Sequence, residues 1–385
     1  MAARLPRRLA WLTVGALALV MTLGNIVSAT RSGLGCPDWP LCHGRVIPPG
    51  GAEIWIEFRH RLAVPLFSAL LVATAFVTWR RAAAPALRRL AAALVGLLVV
   101  QIVLGGVTVL LGLSPLVSTV HLLTALSVLA GLITICAVPD AERGAAVAWR
   151  GAAEGEPSIS TVEPSNSTAG RGAAEGEPSN STVLAPEPRL ARFATVGLAV
   201  LLTQLALGGY VRHSGAGLAC PDFPLCSGDV FPGHWLGWVH WVHRWLGVLL
   251  LGFFLHLARA SRGTALAGAG AALAGLAVAQ VTLGILAVLL RLPIPVRATH
   301  AVVGYALWAL LVWIAVRAGV AGAALGSTVE MLGSPSAAPR QATDPLGSPS
   351  AAPRQATDPL GSPSAAPRQT TAAPTATRRD STRPE

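Results

Sequence analysis

Gly33-Leu34-Gly35-Cys36-Pro37-Asp38-Trp39-Pro40-Leu41-Cys42 returns later in the chain as Gly217-Leu218-Ala219-Cys220-Pro221-Asp222-Phe223-Pro224-Leu225-Cys226. The match extends outward in both directions. Upstream, Leu23-Gly24 aligns with Leu207-Gly208. Downstream, His60-Arg61 aligns with His243-Arg244, Gln101-Ile102-Val103-Leu104-Gly105 with Gln280-Val281-Thr282-Leu283-Gly284, and His121 with His300. Order and spacing hold throughout, so the chain is a tandem duplication.

Each copy contains four long apolar runs. They lie at about 9–27, 56–79, 90–111 and 117–138, then at 190–211, 238–258, 264–290 and 296–317. Each approaches or exceeds the roughly 20 residues that cross a bilayer as helix. The chain is 53% hydrophobic and only 12% charged, a balance that excludes an ordinary soluble domain. The first run follows Arg4, Arg7 and Arg8 and resembles a signal peptide. Its counterpart inside the second copy makes it a retained span instead. The fold expected is an all-α integral membrane protein of eight transmembrane helices, arranged as two tandemly duplicated four-helix bundles. An even number of spans per copy makes the repeat parallel.

The domain limits follow: a first bundle over 1–138, a linker over 139–189, a second bundle over 190–318 and a tail over 319–385. The linker is rich in Gly, Ser, Pro and Glu and repeats Arg-Gly-Ala-Ala-Glu-Gly-Glu-Pro-Ser from Arg150 and Arg171. The tail repeats Leu-Gly-Ser-Pro-Ser-Ala-Ala-Pro-Arg-Gln from Leu332, Leu346 and Leu360. Neither composition can bury a core, so both are expected to be disordered.

The formal charge of +11 comes entirely from arginine, since there is no lysine. The arginines flank apolar runs and fill the tails, which argues for topology signals and against a nucleic-acid partner. The N-terminus, the 80–89 turn, the linker and the 259–262 turn are arginine-rich and would be cytoplasmic, with both termini on that side. The two Cys loops then face outward. Arg59, Arg61, Arg244, Arg291 and Arg297 lie near outer helix ends, against the rule, and those beside histidines suggest a bound anion.

Cys36/Cys42 and Cys220/Cys226 have identical spacing and sit where thiols oxidise. A structural disulfide in each loop is the plainer reading, and a redox-active pair the sharper one. Two cysteines without a second pair are too few for zinc. His43 is replaced by Ser227 in the copy, so it carries no shared metal role.

Of nine histidines, only His60, His121, His243 and His300 recur near helix starts in both copies. Counted from the apolar limits, each lies about four residues in, roughly 6 Å deep at the helical rise. Two imidazoles at equal depth on facing helices of a four-helix bundle can hold one haem iron from both sides. Arg61 and Arg244 are placed to meet haem propionates. Gln101 and Gln280 are expected to bond between helices, and Gly105-Gly106 to allow close helix contact. Trp11, Trp55, Trp238 and Trp241 suit an interfacial belt. The copies differ at one telling place: Glu57, three residues before His60, becomes His240. A carboxylate on the same helical face as His60, in the first copy only, points to chemistry there.

The twin Cys-Pro-Asp-(Trp/Phe)-Pro-Leu-Cys loops, Glu57-x-x-His60-Arg61, His121, His243-Arg244 and His300 together resemble the haem A synthase family. The likeness covers about 1–138 and 190–318. It implies oxidation of the C8 methyl of haem O to a formyl group by successive hydroxylations, with oxygen from water, in a bacterial cell membrane. It implies that the N-terminal bundle takes the substrate haem at His60 and His121, with Glu57 catalytic. His243 and His300 would ligate haem b in the C-terminal bundle. Cys36–Cys42 would be a disulfide with a functional role and Cys220–Cys226 a structural one. The product would serve haem-copper terminal oxidases, with a haem O synthase and an unidentified electron acceptor as partners. Two other classes stay open: a di-haem electron-transfer cytochrome, which has no need of Glu57, and a membrane thiol oxidoreductase acting through the cysteine pairs.

Overall fold

A computed structural model of the chain describes residues 4–82, 84–138 and 187–319, with side chains from residue 7 onward. The linker and tail expectations fall outside these residues, except at their edges. Eight helices are described: α1 (Arg4–Thr30), α2 (Ala52–Arg81), α3 (Pro85–Leu110), α4 (Pro115–Ala137), α5 (Pro188–His213), α6 (Trp235–Ala260), α7 (Ala267–Leu289) and α8 (Ile294–Arg317). A single 3₁₀ turn, Ala216–Leu218, follows α5. All eight helices are long and apolar enough to cross a membrane. Among the described residues there is no strand, only a lone bridge in each Cys loop.

Every expected span coincides with one helix, and the helices mostly run further than hydropathy does. The backbone goes on pairing where polar side chains begin, and prolines set several starts. Pro85, Pro115 and Pro188 each occupy the first helical turn, where a missing N–H costs nothing. Pro65 is the exception: it lies inside α2 and leaves the Arg61 carbonyl without its helical donor.

In the first half α1, α2, α3 and α4 close into a ring, each packed on the next and α4 back on α1. In the second, α5, α6, α7 and α8 do the same. The rings meet along a seam built from α1 and α4 on one side and α5 and α8 on the other. Helix α4 is therefore the most buried of the eight. The shared core runs through Leu71, Leu94, Leu126 and Leu132 to Phe254, Leu257, Leu273 and Leu311, all nearly inaccessible.

The seam also carries polar contacts. Arg212, near the end of α5, donates from Nε to Ser28 Oγ at 2.7 Å, from Nη2 to the Asn25 carbonyl at 2.6 Å and from Nη1 to Asn25 Oδ1. Asn25 Nδ2 donates to the Ala298 carbonyl of α8 at 2.8 Å. Arg297 Nη2 donates to the Ala29 carbonyl at 2.7 Å, and Trp308 Nε1 to the Leu126 carbonyl at 2.8 Å. Where Leu23-Gly24 matches Leu207-Gly208, Ser28 and Arg212 are equivalent positions. The halves thus meet where corresponding residues of α1 and α5 touch.

Candidate haem site

Three layers build the site in each half: a Cys loop, an anchor on the helix beneath it, and a pair of histidines deeper in the ring.

Both loops are closed by disulfides, Cys36–Cys42 and Cys220–Cys226. The Asp38 carboxylate accepts from the His43 N–H at 2.6 Å and the Gly44 N–H at 2.7 Å, and Asp222 accepts from the Gly228 N–H at 3.0 Å. The Gly44 amide, with help from that of His43, holds the Asp38 carboxyl below the usual carboxylate range. His43 and Ser227 adopt left-handed backbone with φ of 54° and 57°, so one turn geometry serves both copies despite different residues. The Trp39 indole lies over α3 at Gly106, where a Cβ would come within 2.9 Å of the ring.

The anchor is the Glu57–Arg61 pair. Glu57 is 3% exposed. Its Oε2 accepts from the Cys36 N–H at 2.8 Å, and its Oε1 meets Arg61 Nη2 at 2.5 Å and Nε at 3.1 Å. Arg61 also donates to the carbonyls of Asp38, Leu41 and Cys36 at 2.7–2.8 Å. In the second half His240 stands in the same place. Its Nδ1 lies 3.4 Å from the Cys220 N and its Nε2 3.2 Å from Arg244 Nε, and the neutral ring accepts from one of the two. Arg244 then donates to the carbonyls of Asp222, Leu225 and Cys220. Every N–H of Arg61 is thus engaged, and most of those of Arg244. A haem propionate at Arg61 would share a donor already engaged, whereas Arg244 keeps one Nη2 N–H for it. Sequence reading alone did not foresee this duty, because carbonyl acceptors carry no side-chain signature.

Counted from the helix starts, the histidines stand further along than counted from the apolar limits. His60 and His243 are each the ninth residue of α2 and α6, and His121 and His300 each the seventh of α4 and α8. That places them about 12 and 9 Å along their helices. Helices α2 and α4 occupy opposite corners of their ring, as do α6 and α8. His60 and His121 are thus carried on diagonally opposite helices of the first ring, and His243 and His300 on diagonally opposite helices of the second.

Each imidazole rests on a glycine of the preceding helix. A Cβ added to Gly24 would lie 2.9 Å from His60 Cε1, and on Gly105 3.3 Å from His121 Cε1. On Gly208 it would lie 2.8 Å from His243 Cε1, and on Gly284 3.1 Å from His300 Cε1. The signal was in the sequence as a recurring Leu-Gly: Leu23-Gly24, Leu104-Gly105, Leu207-Gly208 and Leu283-Gly284. Gly208→Ala is expected to push the His243 ring off its position, at a cost of about 1–3 kcal/mol. Weakened or shifted haem absorption in purified protein is the check, and an unaltered spectrum would count against the socket.

The residues present fit a haem. Among the described residues, nine buried side-chain nitrogen or oxygen atoms lack a hydrogen-bond partner. Five of them are on this layer: Nδ1 of His121 and His243, and Oε1 of Gln101, Gln204 and Gln280. Unmet polarity buried in a membrane bundle calls for a ligand. No three His, Cys, Asp or Glu side chains converge among the described residues. Gln101 and Gln280 bridge helices as expected, to His121 Nε2 at 3.2 Å and His300 Nε2 at 3.4 Å. Gln204 does so too, donating to the His243 carbonyl at 2.9 Å, and sequence reading had overlooked it.

Fold and site define a class: a multi-pass helical membrane protein with a diagonal histidine pair beneath a disulfide-closed loop in each half. The chain belongs to the COX15-CtaA family of cytochrome oxidase assembly proteins, whose model matches residues 7–54, 50–154 and 166–312. Among its relatives, the Heme A synthase of Alkalihalophilus pseudofirmus is 32% identical over 62% of this chain and 70% of its own. That of Bacillus pumilus is 28% identical over 63% and 71%, and that of Shewanella oneidensis 25% identical over 73% and 87%.

Proposed function

We propose that this protein is a haem A synthase, an oxidoreductase that converts the C8 methyl of haem O to a formyl group. The observation that carries the reading is a duplicated histidine pair with a buried carboxylate, Glu57, in one half only. The conversion adds one oxygen atom from water and releases four electrons and four protons to an acceptor. Successive hydroxylations accomplish it.

The N-terminal half takes the substrate, with His60 and His121 on either side of it. Glu57 lies one helical turn from His60, next to the Cys36–Cys42 loop. Held by Arg61 and the Cys36 amide, it is a fixed negative group that can accept a proton or stabilise positive charge at the substrate edge. In the C-terminal half His243 and His300 would hold haem b. Bound there, haem b would supply a one-electron carrier. His240 in place of Glu57 leaves that half without a base of the same kind. The Trp39 ring and the Cys36–Cys42 loop close the first half above the histidine layer and limit water there. The Cys loops face outward and both termini lie in the cytoplasm, by the arginine distribution. A haem O synthase supplies the substrate.

The test is expression of the full chain with and without a haem O source, followed by chromatography of the extracted haems. Haem A, or a hydroxylated precursor, is expected only with the source. Haem b alone would indicate an electron-transfer cytochrome, and absence of any haem would favour thiol chemistry at the loops.

A further inference from the structure

Beside the four sockets lies a second set of positions, and there the halves differ. Four residues before each socket glycine stand Val20, Gln101, Gln204 and Gln280. Four residues after each histidine, on the same helical face, stand Val64, Ala125, Gly247 and Gly304. In the C-terminal half the two sets interlock. Gln204 Nε2 donates to the His243 carbonyl at 2.9 Å, and a Cβ on Gly247 would come within 3.1 Å of that nitrogen. Gln280 Nε2 donates to His300 Nε2 at 3.4 Å, the Gln280 carbonyl accepts from His300 Nδ1 at 3.1 Å, and a Cβ on Gly304 would lie 3.3 Å from the amide. Each amide fits because the facing residue is glycine. In the N-terminal half α3 and α4 keep a version of this, with Gln101 Nε2 3.2 Å from His121 Nε2 and alanine at 125.

Helices α1 and α2 break the pattern at both positions together. Val20 and Val64 pack into the apolar core, and His60 keeps one hydrogen bond, from Nδ1 to the Val20 carbonyl at 3.1 Å. Of the four histidines, only His60 has no glutamine four residues before its socket glycine, and so no amide on either its ring or its carbonyl. A β-branched side chain offers a rigid apolar wall in place of a donor. The exception falls on the helix that also carries Glu57.

We infer that Val20 and Val64 make His60 the exchangeable side of the first half. Resting on the synthase reading, this pair sets how readily the substrate haem enters and the product leaves. The Gln–Gly pairs of α5–α6 and α7–α8 make the second half retain what it binds. Val20 and Val64 are positioning residues, acting through His60, and their effect falls on release of the bound haem.

The test uses the full-length Val20→Gln/Val64→Gly double variant, which copies the α5–α6 arrangement into α1–α2. It is made in a His243→Ala/His300→Ala background, so that any haem retained belongs to the first half. Transfer of bound haem to excess apo-globin is followed by absorption. The expected result is about tenfold slower transfer from the variant than from its background, the scale of one added hydrogen bond. With His243 and His300 intact, the same pair of substitutions should lower haem A output while raising haem per purified chain. Transfer at the background rate would overturn the inference. Should the double variant fail to fold, the reciprocal Gln204→Val/Gly247→Val protein decides. About tenfold faster loss of its C-terminal haem is expected, and unchanged retention would overturn the inference. Haem A from the unmodified chain in the same experiment secures the reading beneath. Its absence would overturn that reading and this inference together.

Discussion

Glu57→Gln is expected to lower haem A formation by about 10²- to 10⁴-fold, the range for loss of one positioned general base, while both disulfides still form. The reason lies in the two duties of the position. Glu57 anchors the Cys36–Cys42 loop through the Cys36 N–H and Arg61, and His240 does the same for the second loop through Cys220 and Arg244. In the second half one acceptor nitrogen, with no negative charge, therefore suffices for anchoring. Glutamine keeps an acceptor and removes the charge. Glu57→His goes further, since it installs the second half's own solution, and it should leave a closed loop with no synthase activity. Glu57→Ala loses both duties. It strands a buried amide and an arginine, with a stability cost of about 1–3 kcal/mol from the amide alone. Haem extraction from membranes supplied with haem O, together with a count of free thiols, separates the three variants. Glutamine with near-normal output would show that the carboxylate serves the loop alone.

The second large effect concerns the C-terminal pair. His243→Ala or His300→Ala should abolish a low-spin b-type absorption spectrum, because each removes one of the two histidines that would hold haem b in that half. His243 rests on Gly208 and His300 on Gly284, and neither helix offers another imidazole at that depth. His60→Ala, in the other ring, should leave the same bands in place. The measurement is the reduced-minus-oxidised spectrum of purified protein. Bands that survive both C-terminal substitutions would refute the haem b assignment.

Much of this was legible in the chain. The repeated Cys-Pro-Asp loop, the Leu-Gly recurrence and the spacing to each histidine hold the duplication in plain view. Eight apolar runs give eight helices, because a bilayer leaves an apolar stretch of that length little other choice. Helix ends were less visible: α3 starts at Pro85, not at residue 90, since hydropathy fades before backbone hydrogen bonding does. In the same way α2 starts at Ala52, not at residue 56, so His60 stands further from its helix start than counting from the apolar limit had it.

What the sequence by itself determined is the repertoire: eight spans in two copies, four recurrent histidines, two cysteine pairs and one carboxylate without a twin. These follow from composition and periodicity, which are properties of the chain alone. Only the tertiary structure decided how that repertoire is used. It turned Arg61 and Arg244 onto loop carbonyls, joined the halves through Arg212 and Asn25, seated each imidazole on a glycine and placed Val20 and Val64 where the other half has Gln204 and Gly247. Such contacts join residues far apart in the chain, 187 positions for Arg212 and Asn25 and 273 for Asn25 and Ala298. They depend on which helix faces which, and that is settled when the rings close and pack along the α1–α4 and α5–α8 seam.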